Sequence, residues 1–203
     1  MQNRFGKSKT GTANPGTGSR PAVKPLLGER TGNRHSIFLV GFMGAGKTTV
    51  GRALSWRLGL PFHDLDDRIH QREGKTIEQI FRDSGEAEFR KLETAALREV
   101  LAELGSSIGV VALGGGAFVQ PDNTAMLEAA AAHSVFLDAP VDELLRRCES
   151  ESKERPLRRD AKQFRELYQK RQGAYRKAIV RIDTNGKDVE AIAAEVACSL
   201  GLE

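Results

Sequence analysis

Between residues 36 and 200, short apolar runs alternate with longer stretches whose apolar side chains recur every three or four positions. Ile37-Phe38-Leu39-Val40 is an unbroken apolar run closing on Gly41, the pattern of a strand buried on both faces. Behind it Val50, Ala53, Leu54 and Leu58 share one helical face and stop at Gly59, which predicts a helix over 47–59. The alternation continues with a strand at 61–65 and helices at 66–73, 76–83 and 86–104. The last of these carries Phe89, Leu92, Ala96, Val100 and Leu104 on one side. A strand at 108–113 runs into Gly114-Gly115-Gly116, followed by a helix at 122–132, a strand at 134–137 and a helix at 141–149. A polar, basic stretch at 150–162 precedes a helix at 163–178, an edge strand at 180–183 and a closing helix at 188–200. Strands alternating with helices, without internal repeats, predict an α/β sandwich around a parallel sheet, with ligands at the carboxyl ends of its strands.

Residues 1–34 show neither period. Eighteen of them are Gly, Pro, Ser, Thr or Asn and seven are apolar, too little surface to offset the entropy of ordering, so this segment is expected to be disordered. It also holds the basicity. Seven Lys or Arg face Glu29 alone, a balance of +6, whereas the remainder has 24 basic and 26 acidic residues, a balance of −2. A slightly acidic body with few aromatic residues argues against a nucleic-acid partner. The extension lacks the apolar centre of a secretory signal and the Arg-spaced amphipathic pattern of a transit peptide. A solvated tail on a cytoplasmic protein is expected, with plastid targeting as the alternative. No apolar run approaches the ~18–20 residues of a membrane span. Cys148 and Cys198 form no CxxC and are expected to be buried, inert thiols in a reducing compartment. The remaining chain, 35–203, with 39% apolar residues overall, is sized for one domain.

The chemistry starts at Gly41-Phe42-Met43-Gly44-Ala45-Gly46-Lys47-Thr48, a complete G-x-x-x-x-G-K-T sequence between a predicted strand and a predicted helix. Glycines let successive N–H groups turn toward phosphate oxygens, and the helix adds its positive end. Gly44, Ala45, Gly46, Lys47, Thr48 and Thr49 are therefore candidate nucleotide contacts, with Lys47 on the β/γ-phosphates and Thr48 on Mg²⁺. The strand at 108–113 ends in Leu113 and three glycines, so an acid must come from elsewhere. Asp64 and Asp66 close the strand at 61–65, where alternate residues face one way; one could serve the metal and the other a substrate hydroxyl. Helix capping by these acids or by Asp67 is the alternative.

These residues resemble the shikimate kinases. The resemblance rests on GFMGAGKTT, Phe62-His63-Asp64-Leu65-Asp66, Gly85-Glu86-Ala87-Glu88-Phe89-Arg90, Leu113-Gly114-Gly115-Gly116-Ala117, Arg155-Pro156-Leu157, and Arg171 four residues before Tyr175. It covers about residues 36–200 and implies a nucleoside-monophosphate-kinase type of fold, a five-stranded parallel sheet with a mobile lid at about 150–162. It also implies ATP-dependent phosphorylation of the 3-hydroxyl of shikimate, a step of aromatic amino-acid biosynthesis, by a cytoplasmic monomer using ATP and Mg²⁺. Residue by residue, the resemblance places Arg90 and Arg171 on the substrate carboxylate, with Glu93 holding Arg90, and Gly114, Gly115 and Gly116 along the ring. Asp66 falls on the attacking hydroxyl, Asp64 with Thr48 on Mg²⁺, Arg155 on the transferring phosphoryl group, and Arg147 and Asn185 on adenine. Guanidinium forks suit a carboxylate. Two other functions stay open at this level: another small-molecule kinase of the same fold, such as a gluconate kinase, and a nucleotide-dependent RNA-associated module using the basic tail.

Overall fold

In a computed structural model of the chain, the described residues are 1, 35–105, 107–151 and 160–202. The extension expected to be disordered and most of the expected lid, including Arg155, lie outside them. Five strands among the described residues, β1 (Ile37–Val40), β2 (Phe62–Asp64), β3 (Val110–Ala112), β4 (His133–Asp138) and β5 (Val180–Asp183), form one sheet in the order β2-β3-β1-β4-β5. All neighbours are parallel; Phe38 of the central strand lies opposite Val111 on one side and Ser134 on the other. Its four residues are buried, as a strand covered on both faces must be.

The helices are α1 (Lys47–Leu58), α2 (Leu65–Glu73), α3 (Ile77–Leu104), α4 (Pro121–Ala129), α5 (Val141–Glu151), α6 (Ala161–Tyr175) and α7 (Val189–Ser199). Helix α1 packs beside α7, while α3, α4 and α6 meet around a short 3-10 turn, Ala117–Val119. With this strand order, the right-handed rule for parallel crossovers puts the two groups on opposite faces of the sheet. Within α3, Gly85 is non-helical (φ 79°, ψ 174°), which separates the two stretches expected at 76–83 and 86–104. Thr76 starts it with a capping box, its hydroxyl accepting from Gln79 N–H while the Gln79 side chain accepts from Thr76 N–H.

Two expectations need correction. The second strand ends at Asp64, so Asp66 stands in the first turn of α2 and not on an extended segment; strand alternation does not orient it. Cys148 is buried, but Cys198 is exposed, because α7 turns Ile192, Ala193, Val196 and Ala197 inward and position 198 falls off that stripe.

Close approach of α1 to the sheet depends on Gly51. A Cβ there would run into the Phe62 ring and lie 3.2 Å from Leu39 Cδ1. Overpacking of this kind costs about 1–3 kcal/mol, and each kcal/mol shifts Tm by roughly 2–4 °C in a domain of this size. Gly51→Ala is expected to lower Tm by about 2–12 °C, read by calorimetry. An unchanged Tm would mean that α1 has room to spare at this point.

Candidate active site

The phosphate loop follows β1. Gly44 has φ 79°, and a Cβ on it would sit 2.5 Å from the Leu144 carbonyl oxygen, so both conformation and space require glycine. Gly46, also left-handed, is the N-cap of α1 and offers no capping side chain, leaving the first N–H groups of α1 without a side-chain cap. Lys47 Nζ donates to the carbonyls of Gly41 and Phe42, both at 3.0 Å, so the ammonium lies across the mouth of its own loop. Ala45 is buried beneath it, while Thr48 and Thr49 are exposed at the start of α1.

The Thr48 hydroxyl donates to Asp64 Oδ2 at 2.6 Å. The other oxygen of Asp64, Oδ1, accepts from the N–H groups of Asp66 (3.0 Å) and Asp67 (3.4 Å) and so caps α2. Asp64 is therefore both cap and neighbour of the phosphate loop. Asp67 does not cap; it faces Arg52 at 3.5 Å. Among the described residues no group of three or more His, Cys, Asp or Glu gathers to form a metal cage. A hydroxyl and a carboxylate side by side still fit Mg²⁺, which takes hard oxygens, keeps waters, and uses one or two protein ligands beside substrate phosphates.

A second cluster forms where α3 and α6 reach the glycine segment after β3. Arg90, 14% exposed, donates through Nη1 to Glu93 Oε2 (2.7 Å) and through Nη2 to Glu86 Oε1 (2.9 Å). Its guanidinium also lies near the Phe89 ring, 5.2 Å from the centroid. Spacings of three and four residues on one helix make this clamp local. The guanidinium lies against Gly116, where a Cβ would fall 2.5 Å from Nη2. At Gly114 a Cβ would meet Glu93 Oε1 at 2.5 Å and Asp66 Oδ1 at 2.8 Å, which locates Asp66 beside the same segment. Gly115 is different: a Cβ there would make only ordinary contacts. Its carbonyl accepts from Arg171 Nη1 (3.3 Å) and from the Tyr175 hydroxyl. The outer two glycines thus make room for side chains of the chain itself.

Glu93 is fully buried, and its Oε1 has no hydrogen-bond partner among the described residues. Burial raises its pKa, against the pull of the Arg90 charge; Asp66 also acts to raise it and Arg171 to lower it. Two cations and two carboxyls thus share one electrostatic neighbourhood. Arg90 and Arg171, 81 positions apart in sequence, flank the glycine segment within it.

At the far end of the loop, Arg147 donates to Glu143 Oε1 (2.8 Å), Thr184 Oγ1 (3.1 Å) and the Thr184 carbonyl (2.9 Å). Thr184, buried after β5, brings Arg147 next to Asn185, which is exposed. Arg146 instead points outward and pairs with Glu143. Glu86, Thr184 and the hydroxyl of Tyr175 are contributors to which the sequence assigned no role. Glu86 was open to detection four residues before Arg90, whereas Thr184 and Tyr175 act across the fold.

The shikimate kinase family model matches residues 43–200. A shikimate kinase of Geobacter sulfurreducens is 43% identical over 166 residues, 80% of this chain and 88% of that protein. That of Persephonella marina is 38% identical over 161 residues, 79% of this chain and 96% of its own. Among solved structures, shikimate kinase from Acinetobacter baumannii in complex with shikimate superposes with a TM-score of 0.75 at 37% identity, covering 83% of this chain and 94% of that one. A match that begins in the phosphate loop and runs through the glycine segment to α7, with relatives aligned along nearly their full lengths, leaves one conclusion: the chain belongs to the shikimate kinase family.

Proposed function

We propose that the chain transfers the γ-phosphoryl group of ATP to the 3-hydroxyl of shikimate, giving shikimate 3-phosphate and ADP. The observation that carries this is the convergence of Arg90 and Arg171 on the glycine segment at the carboxyl end of β3, beside the phosphate loop. Two guanidinium groups there suit a small carboxylate-bearing acceptor.

Phosphoryl transfer asks the protein for position and charge, not for a covalent nucleophile. Lys47 exchanges the Gly41 and Phe42 carbonyls for phosphate oxygens, and the N–H groups of Gly44, Gly46, Thr48 and Thr49 surround them, while the Ala45 N–H donates to the Phe42 carbonyl and shapes the loop. Arg147 and Asn185 hold the adenine end. Arg90 and Arg171 fix the substrate carboxylate while Asp66 accepts a hydrogen bond from the attacking hydroxyl. Glu86 and Glu93 keep the Arg90 fork in its plane. Mg²⁺, held by Thr48 and Asp64 when bound with the nucleotide, supplies neutralisation of charge on the β- and γ-phosphates. Arg155, which the resemblance places on the transferring phosphoryl group, lies outside the described residues.

A coupled ADP-release assay with ATP and Mg²⁺ tests it against shikimate, gluconate, nucleoside monophosphates and water. Turnover is expected with shikimate and not with gluconate. Equal turnover with gluconate, or ADP release with water alone at the same rate, would overturn the substrate assignment.

A further inference from the structure

Two donors share the Gly115 carbonyl, and they are not equivalent. The Tyr175 hydroxyl donates from a fully buried ring, whereas Arg171 Nη1 donates from a partly exposed side chain across 3.3 Å. Tyr175 is buried completely, its ring stacked on Phe136 at 5.4 Å between centroids, so the core fixes where its hydroxyl sits. Arg171 is only half-buried, one helical turn earlier on the same face of α6. A residue that must grip a substrate carboxylate is a poor sole donor to a partly buried carbonyl. On leaving, it would strand that acceptor, and leaving a polar group unpaired away from bulk water is costly.

We propose that Tyr175 is a positioning residue for substrate capture: by holding the Gly115 carbonyl permanently, it lets Arg171 exchange that carbonyl for the substrate carboxylate without leaving a partly buried acceptor unpaired. This rests on the shikimate-binding role of Arg171 given above. Burial pushes the Tyr175 hydroxyl up to about 12, against the charge of Arg171 and a hydrogen bond from its side chain, so at neutral pH it keeps its proton and donates. The glycine segment then keeps one shape with and without substrate, and Arg171 is the movable member. Without the hydroxyl, Arg171 becomes the remaining donor to Gly115 among the described residues and is held back from the substrate.

The test is steady-state kinetics of Tyr175→Phe, which keeps the ring and removes the donor, in the wild-type and Arg171→Met backgrounds. In the wild-type background the KM for shikimate is expected to rise by about tenfold, with the KM for ATP within about twofold of normal. In the Arg171→Met background, where no side chain is recruited, the same substitution is expected to change the KM for shikimate by less than about twofold. A cyclohexene triol lacking the carboxylate should likewise be insensitive to Tyr175→Phe. An equal rise in both backgrounds, or none in the wild type, overturns the proposal. If Tyr175→Phe melts below the assay temperature, 3-fluorotyrosine at 175, a stronger donor of the same shape, decides instead: a lower KM for shikimate is expected, and an unchanged or higher one overturns the proposal. Failure of the wild-type enzyme to phosphorylate shikimate would instead overturn the functional assignment, so the two failures are distinct.

Discussion

Arg90→Ala is expected to lower kcat/KM for shikimate by about ten- to a hundredfold or more, the scale of a lost charge-assisted hydrogen bond, with the KM for ATP little changed. The guanidinium of Arg90 lies against Gly116, and it is held by Glu86 and Glu93. Lysine should rescue poorly, because a point charge reproduces neither the fork nor the two-sided clamp. Truncation also leaves Glu93 buried without its cation, so Tm is expected to fall, and rates should be compared well below it. The decisive measurement is a double cycle, Arg90→Ala against an analogue without the carboxylate, read as kcat/KM. The variant and the analogue should each cause a large loss, and together scarcely more than either alone. Losses that multiply would show that Arg90 does not meet the carboxylate.

Lys47→Ala should have the larger effect on turnover, a loss in kcat of about 10²–10³-fold or more, the range for removing a donor aimed at developing charge. The fold should survive. Nζ is bonded to two carbonyls at the open face of the loop, and the shape of the loop is set by Gly44 and by the Gly46 cap. Near-normal turnover with shikimate, in a variant whose Tm matches the wild type, would remove Lys47 from the mechanism.

The phosphate loop was legible because all its parts are local: an apolar run, a fixed spacing, then a helix. Arg90 with Glu86 and Glu93 was legible for the same reason, since three- and four-residue spacings on one helix bring the carboxylates to the guanidinium. Asp66 was placed by the wrong device. Strand alternation had to give way once the Asp64 carboxylate satisfied the first N–H groups of α2, which ended the strand and began the helix one residue early. The glycine run was read as space for a ligand. Its outer members also make space for Glu93, Asp66 and Arg90, contacts between α2, α3 and the end of β3 that no spacing encodes. The Gly115 carbonyl was invisible for a plainer reason: backbone acceptors carry no letter of their own.

The two oxygens of Asp64 divide between neighbours with different tasks, one on the N–H groups of α2, the other on the hydroxyl of Thr48. The helix that presents Asp66 is thereby suspended from the loop that receives the nucleotide, and one carboxylate is the hinge pin. Substitutions at Thr48 and in the first turn of α2 share that pin, so their energetic effects are not independent even though they lie on different helices. An amide at 64 could serve as acceptor on one side only, because its other atom is a donor. It would leave either the helix uncapped or the hydroxyl without its acceptor.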